Sequence, residues 1–243
     1  MAEFNLPTET VELPSRGLLY PENSPLASGT IEMKYMTAKE EDILTNRNYI
    51  NNGTVIDKLL QSLITTPNLN YSDLLIGDKN ALMIAARILS YGKDYSINYG
   101  GTTHSVDLSE LKPKEVDYSL FTERKNEFQF VLPKSQNVIT FKLLTHGDEI
   151  AVDKEISGLT KINKTESYDV TTRLKHMILS VNGSREQKDI REFVDKYLLA
   201  TDARALREEY SKIQPDVNLN ITLPDVEEDV TLPIGLDFFW PES

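Results

Sequence analysis

Cysteine, histidine and clustered carboxylates carry much of protein chemistry, and this chain has few of them in useful patterns. It has no cysteine, which excludes disulfides, thiolate zinc sites and cysteine nucleophiles. Three histidines occur, without the spacings that a zinc site uses: His104, His146 and His176. The nearest approach to a ligand cluster is His146-Gly-Asp148-Glu149, but Thr145 with Asp148 is better explained as a helix start. We therefore predict no metal site.

The remaining candidates for catalysis or phosphate binding are incomplete. Gly92-Lys93 lacks the upstream glycine and the following Ser or Thr of a Walker loop, and no Gly-x-Ser-x-Gly elbow occurs. Carboxylate pairs such as Glu40 with Glu41 fall at a helix start, and Glu227 with Glu228 falls in an acidic loop, where solvation is the usual role. The stretch 225–229 lacks the glycine and spacing of a calcium loop. We predict no catalytic residue, no cofactor and no enzymatic activity.

Composition and charge narrow the class of protein. The 243 residues are 40% hydrophobic and 26% charged, as in ordinary globular proteins. The formal charge of -12 argues against nucleic acid as the main partner, because phosphate neutralisation needs clustered Lys and Arg. The main apolar run has about ten residues, far from the roughly 20 that span a bilayer, so no membrane segment is predicted. The N-terminus has acids and prolines where a signal peptide needs a basic start and an apolar run, so we expect an unsecreted protein.

The stretch 78–91 is apolar on nearly every side, which predicts a buried helix that other elements surround. Asp78 is its expected N-cap, and Gly92 stands where a left-handed residue would end it. Helical spacing and capping patterns predict six further helices. Two start at Thr37 and Thr54, and the other four cover 146–158, 167–182, 185–199 and 202–215.

Alternation of apolar and polar residues predicts three β-hairpins. The first joins 95–99 to 103–108 through Gly100-Gly101, the second joins 128–132 to 139–143, and the third joins 217–223 to 231–240. A proline-rich N-terminal arm, with a short strand near 11–13, precedes a strand over 31–35. The predicted fold class is therefore α+β, a helical core around the buried helix with three β-hairpins and the N-terminal arm.

Breaks in these patterns predict three units. They are 1–36, an N-terminal arm and strand; 37–111, a helical subdomain with the first hairpin; and 126–243, the second hairpin, a helical bundle and the C-terminal hairpin. Residues 112–124 are the expected linker, because Pro113 interrupts the chain and the periodicity is lost there.

Apolar side chains near both chain ends would be unusual on free tails. They are Leu18, Leu19, Tyr20 and Pro21 in the arm, and Phe238, Phe239, Trp240 and Pro241 at the C-terminus. Both clusters must be covered, either by the chain's own surface or by a partner protein. Aromatic side chains are enriched at interface anchors, so we treat these eight residues as a candidate partner interface.

Four short motifs occur in order along the chain. They are Glu12-Leu-Pro-Ser-Arg-Gly-Leu-Leu-Tyr-Pro21; Ile31-Glu-Met-Lys-Tyr-Met-Thr-Ala-Lys-Glu-Glu-Asp-Ile-Leu44; Gly77-Asp-Lys79, leading through Ala85-Ala-Arg-Ile88 to Ser90-Tyr-Gly92; and Phe238-Phe-Trp-Pro241. Together, and over almost the whole chain, they resemble the baseplate hub and hub-assembly proteins of T-even-like contractile-tailed bacteriophages. Relatives carry Cys-x-x-Cys pairs on the hairpins equivalent to those near 99–104 and 222–231, which suggest zinc knuckles. This chain has none, so the resemblance does not extend to metal binding.

The resemblance implies a non-enzymatic structural component of the tail baseplate hub that is involved in baseplate assembly. Such a protein would be assembled in the host cytoplasm and would be found in the virion, in the tail baseplate. Its partners would be other baseplate hub proteins and the tape-measure protein, with no nucleic acid and no membrane, and the oligomeric state is left open. The alternative is an assembly chaperone for the hub or tape-measure complex that is absent from the mature virion.

Overall fold

The computed structural model describes residues 6–163, 167–224, 226 and 228–240, and its class is α+β, as predicted. Its α-helices are α1 Ala38–Leu44, α2 Arg47–Asn51, α3 Val55–Leu63, α4 Ile76–Tyr91, α5 His146–Ile162, α6 Asp169–Met177, α7 Gln187–Lys196 and α8 Ala200–Ile213. Its strands are β1 Thr8–Glu12, β2 Thr30–Lys34, β3 Asp94–Tyr99, β4 Thr102–Asp107, β5 Phe128–Val131, β6 Val138–Phe141, β7 Ile178–Val181, β8 Asn220–Ile221 and β9 Val230–Thr231. The strands form the antiparallel sheets β1-β2, β3-β4, β5-β6-β7 and β8-β9.

Helix α4 is the predicted central helix, and most of its apolar side chains are buried. It begins at Ile76 and not at Asp78, because Leu75 has the extended backbone of an N-cap residue. The prediction that Asp78 caps this helix is therefore wrong. Asp78 lies inside the first turn, is fully buried, and uses its carboxylate on another segment of the chain.

Two helix starts follow the predicted local chemistry. Thr37 with Glu40 opens α1, and Thr145 with Asp148 opens α5, each pair exchanging hydrogen bonds between side chain and backbone. The sequence Ser184-Arg-Glu-Gln187 has the pattern of a capping box and predicts a helix start at Ser184. This prediction is wrong, because the backbone turns at Asn182 and α7 begins only after Glu186. The Asn-rich stretch 46–53 predicts a break between helices, but it contains the short helix α2.

The stretch 167–182 was expected to be one helix, and this is wrong. Helix α6 ends at Met177, and Ile178–Val181 continues as strand β7 beside β6. The β-branched Ile178 and Val181 suit a strand, and Ile178 is buried against the sheet. The second predicted hairpin, β5-β6, is present and gains β7 as a third strand.

The first and third hairpins differ in how well they follow the prediction. The first, β3-β4, turns at Gly100 and Gly101 with φ of 59° and 83°, as a two-residue turn requires. The third is shorter than expected, with pairing limited to β8 and β9. The predicted return strand over 231–240 is wrong, because Pro233 has no N–H for a ladder and 237–239 form a 3-10 turn.

One hydrophobic cluster contains residues of all three predicted units, including Leu19, Leu82 and Phe141. The expected linker is packed as well: Phe121 is buried, and the Tyr118 hydroxyl donates to the Pro14 carbonyl at 2.8 Å. The division into three units stays a prediction. Within the described part of the chain, no helix is long and apolar enough to cross a membrane.

Candidate functional site

The buried carboxylate of Asp78 binds the N-terminal arm to the first turn of α4. Its Oδ1 accepts the main-chain N–H of Ser15 at 2.9 Å, and its Oδ2 accepts the hydroxyls of Ser15 at 2.7 Å and Tyr20 at 2.6 Å. The Tyr20 oxygen in turn accepts the main-chain N–H of Leu75 at 2.9 Å. Burial raises the pKa of Asp78 to about 6, although these hydrogen bonds favour the charged form.

A tight turn in the arm brings Ser15 and Tyr20 to the same carboxylate. Arg16 and Gly17 both have positive φ, of 53° and 73°. At Gly17 a Cβ would lie 2.5 Å from the carbonyl oxygen of Ala27, so only glycine fits this position. The arm is therefore folded onto the molecule by backbone geometry as well as by the Asp78 contacts.

Arg87 makes the corresponding contact near the other end of α4. Its side chain is buried, and its Nε donates to the carbonyl of Phe238 at 3.1 Å. Its two terminal nitrogens donate to the carbonyls of Gly92 at 3.0 Å and Asp94 at 3.3 Å. The guanidinium thus joins the C-terminal segment to the helix end, where a positive charge also suits the helix dipole. The Phe238 ring packs on Tyr95 with centroids 5.0 Å apart.

The candidate interface residues divide into buried and accessible groups. Leu19, Tyr20, Phe238 and Phe239 are buried within this chain, and Leu18 is half-buried. Pro21 is exposed, Trp240 is 39% exposed, and Pro241 lies outside the described residues. Of the two alternatives that the sequence left open, docking on the chain's own surface accounts for the buried four. A partner interface at these positions stays a prediction, with Pro21 and Trp240 as its accessible members.

A second polar cluster lies in an open cleft of about 650 Å³ between α3, α4 and α5. The Lys79 ammonium is 2.6 Å from Asp57 Oδ1 and 3.2 Å from His146 Nδ1. The other imidazole nitrogen, Nε2, is 3.4 Å from Asp57 Oδ2. The Tyr71 hydroxyl donates to Asp57 Oδ1 at 3.1 Å, and its ring contacts the edge of His146.

The contacts within this cleft determine what it can do chemically. Burial, and then the Lys79 ammonium, lower the pKa of His146, so the imidazole is neutral at pH 7. A neutral ring that accepts from Lys79 at Nδ1 has its proton on Nε2, facing Asp57. The Lys79 ammonium then occupies Nδ1, whereas Nε2 faces Asp57 Oδ2 at 3.4 Å, beyond the usual hydrogen-bond range.

Sequence reasoning missed this cluster. It compared His146 only with its chain neighbours Asp148 and Glu149, whereas Asp57 and Lys79 come from separate helices. The one available signal was a charge at the start of an otherwise apolar helix, at Lys79. Among the residues that the structure describes, no group of three or more His, Cys, Asp or Glu is placed to hold a metal ion.

Comparison of the chain with protein-family models, with characterised proteins and with solved structures finds no match.

Proposed function

We propose that the protein is a non-enzymatic structural component of a phage tail baseplate hub, involved in baseplate assembly. The proposal rests on the resemblance of its four motifs to the hub and hub-assembly proteins of T-even-like phages. It names other hub proteins and the tape-measure protein as partners. It also places the protein in the tail baseplate of the virion.

The structural observation that best supports the proposal is that three of the four motifs contact each other around α4. Asp78, from the third motif, binds Ser15 and Tyr20 of the first. Arg87, from the same motif, binds the carbonyl of Phe238 in the fourth. Motif residues that contact each other and hold one framework fit a structural role. A shared reaction would instead require the motif side chains to converge on an open pocket.

The second motif is joined to α3 in the same way. Glu40 is buried and accepts hydrogen bonds from Lys34 at 2.8 Å and from the Ser62 hydroxyl at 2.7 Å. These bonds hold the pKa of Glu40 at about 2 despite its burial. The acidic balance of the chain further favours protein partners over nucleic acid.

Quantitative mass spectrometry of purified tails tests the proposal. Peptides of this chain, counted against a known hub protein, are expected at a fixed small-integer ratio. Absence from particles, together with abundance in the infected-cell lysate and in isolated baseplate intermediates, would favour the assembly chaperone instead. Absence from particles and from every tail intermediate would contradict both.

The accessible part of the candidate interface allows a sharper test. Trp240→Ala removes a side chain that is 39% exposed, whereas Phe239→Ala empties a fully buried position. In complementation of a phage that lacks the gene, Trp240→Ala should fold normally and reduce the number of assembled tails. Phe239→Ala is the matched control, because it should act by unfolding the protein, at about 3–5 kcal/mol. A normal number of assembled tails with Trp240→Ala would show that Trp240 is not part of the partner interface.

A further inference from the structure

Two separate hairpins each contribute an edge to a groove of about 540 Å³, and within the described ranges neither edge pairs with a further strand there. One wall is β4, with Ser105, Val106 and Asp107. The other wall is β8 and the residues that follow it, with Asn220, Ile221 and Thr222. We call this space the β4–β8 groove. Strand β4 pairs with β3, and β8 pairs with β9, but β4 and β8 do not pair with each other.

The pairing pattern fixes which backbone groups of β4 point into the groove. The N–H of Leu108 donates to the carbonyl of Lys93, so residue 108 faces β3. Because hydrogen bonds alternate along an antiparallel strand, residues 106, 104 and 102 also face β3. The main-chain groups of Ser105 and Asp107 therefore point away from β3. Both residues line the groove.

The same reasoning applies to the opposite wall. Asn218 donates its N–H to the carbonyl of Lys112, and Leu219 accepts from Leu232 on the other side. The main-chain groups of residues 220 and 222 therefore point to the same side as those of Asn218, away from β9. On that side the chain over 112–114 pairs with 216–218, and the pairing ends at Asn218. Beyond that point the edge opens into the groove. The N–H of Asn220 bonds to the side chain of Asn218 at 3.1 Å, a local bond that an incoming strand can replace.

From these two edges we infer that the β4–β8 groove binds an extended peptide segment of another protein, which inserts as a β-strand between β4 and β8. Backbone N–H and C=O groups on both walls select a strand over a helix or a small molecule. The edge of β4 also lacks the lysine or proline that commonly protects an exposed strand, since it reads Thr102-Thr-His-Ser-Val-Asp107.

The side chains of the groove define the sequence that it accepts. Val106 and Ile221 are half-buried and Leu223 is buried, whereas Ser105 and Thr222 are exposed. One face of an inserted strand would meet these apolar groups and the other would meet water, so its residues should alternate apolar and polar. Asp107, Glu110 and Lys112 line the groove, and Asp107 is paired with Lys93 at 2.6 Å. The two remaining charges have opposite signs, so the net charge of the peptide should matter little.

The test uses the full chain as bait for a display library of random heptapeptides. Selected peptides should alternate apolar and polar residues. Their binding is then compared in Ser105→Pro and Thr103→Pro. Each proline removes an N–H that points away from β3, so the main-chain β3-β4 bonds remain in both. Thr103→Pro also loses the hydrogen bond from the Thr103 hydroxyl to Asn98 on β3, but of the two positions only Ser105 lines the groove. We expect the Kd to rise about tenfold in Ser105→Pro and to stay unchanged in Thr103→Pro.

Amide hydrogen exchange of the unaltered chain gives a readout that does not depend on variants. A selected peptide should slow exchange at the N–H groups of Ser105, Asp107 and Thr222. The inference is overturned if no peptide is selected, if selected peptides bind Ser105→Pro as tightly as the parent, or if protection appears elsewhere. It does not rest on the proposed function, so either result leaves the baseplate assignment to the particle measurement.

Discussion

Replacing Asp78 by asparagine should change how the stability of the protein depends on pH. The carboxyl group is fully buried and binds Ser15 and Tyr20. Its pKa in the folded protein is about 6, against an ordinary value of 3.8. The folded state therefore holds this proton more tightly than the unfolded chain does. Its contribution to stability is fully present below pH 3.8 and is lost as the pH rises through 6.

The size of this effect follows from the pKa difference. At about 1.4 kcal/mol for each pKa unit, the rise from 3.8 to about 6 corresponds to about 3 kcal/mol. The asparagine side chain cannot titrate, so the variant lacks this fall in stability. Part of this change lies below pH 4, so the free energy of unfolding of Asp78→Asn, minus that of the parent chain, should increase by about 2 kcal/mol between pH 4 and pH 7.

Urea unfolding at a series of pH values measures this difference directly, because other titrating groups contribute equally to both proteins. The control is Ser15→Ala, which removes one hydroxyl donor but keeps the carboxylate. Because that hydroxyl favours the charged carboxylate, the control should show a fall in stability with pH at least as large as the parent's. A difference between Asp78→Asn and the parent that stays constant from pH 4 to pH 7 would refute the reasoning. Asp78 would then be ionised in the folded protein throughout.

Three further substitutions test the contacts around α4. Tyr20→Phe should cost about 2 kcal/mol, since it leaves a buried main-chain N–H without an acceptor, while Tyr35→Phe, which loses a bond at the surface, should leave the urea midpoint unchanged. Gly77→Ala should destabilise by about 3 kcal/mol or more, because its Cβ would lie 1.9 Å from a main-chain carbonyl oxygen. Gly158→Ala, a helical glycine with open space around it, should be stabilising by up to about 1 kcal/mol in the same assay. Arg87→Lys should cost about 2 kcal/mol, because the Phe238 carbonyl loses its guanidinium donor. The fluorescence emission of Trp240, the single tryptophan, should shift to the red as the C-terminal segment loosens, and unchanged emission would show that Arg87 does not hold this segment.

The parts of the fold that were predicted correctly are determined by interactions within short stretches of sequence. The apolar run of α4, the Thr145–Asp148 pair and the Gly100-Gly101 turn each specify their structure through neighbours within a few residues. Such local rules do not depend on the rest of the chain. Reading them from the sequence is therefore enough to obtain the fold class and most element positions.

The errors occur where a distant segment decides the local structure. Residues 178–181 leave the helical pattern because β6 offers a strand partner from about forty positions away in the chain. Asp78 is of a residue type that commonly caps helices, but its hydrogen-bond partners Ser15 and Tyr20 lie in the N-terminal arm. The cleft around His146 combines three separate segments for the same reason. Periodicity and capping rules consider only residues close in sequence, so they cannot predict contacts between distant segments.

The roles of the motif residues also determine how function should be tested. Asp78 and Arg87 are buried and hold the arm and the C-terminal segment to α4, so their replacement changes the stability of the protein whatever its role. A defect in tail assembly caused by such variants would therefore say nothing about partner contacts. Substitutions that inform on function must lie on accessible surface outside this framework. Trp240 and the outward edge of β4 at Ser105 meet that condition, because both are exposed and neither contributes to the bonds around α4.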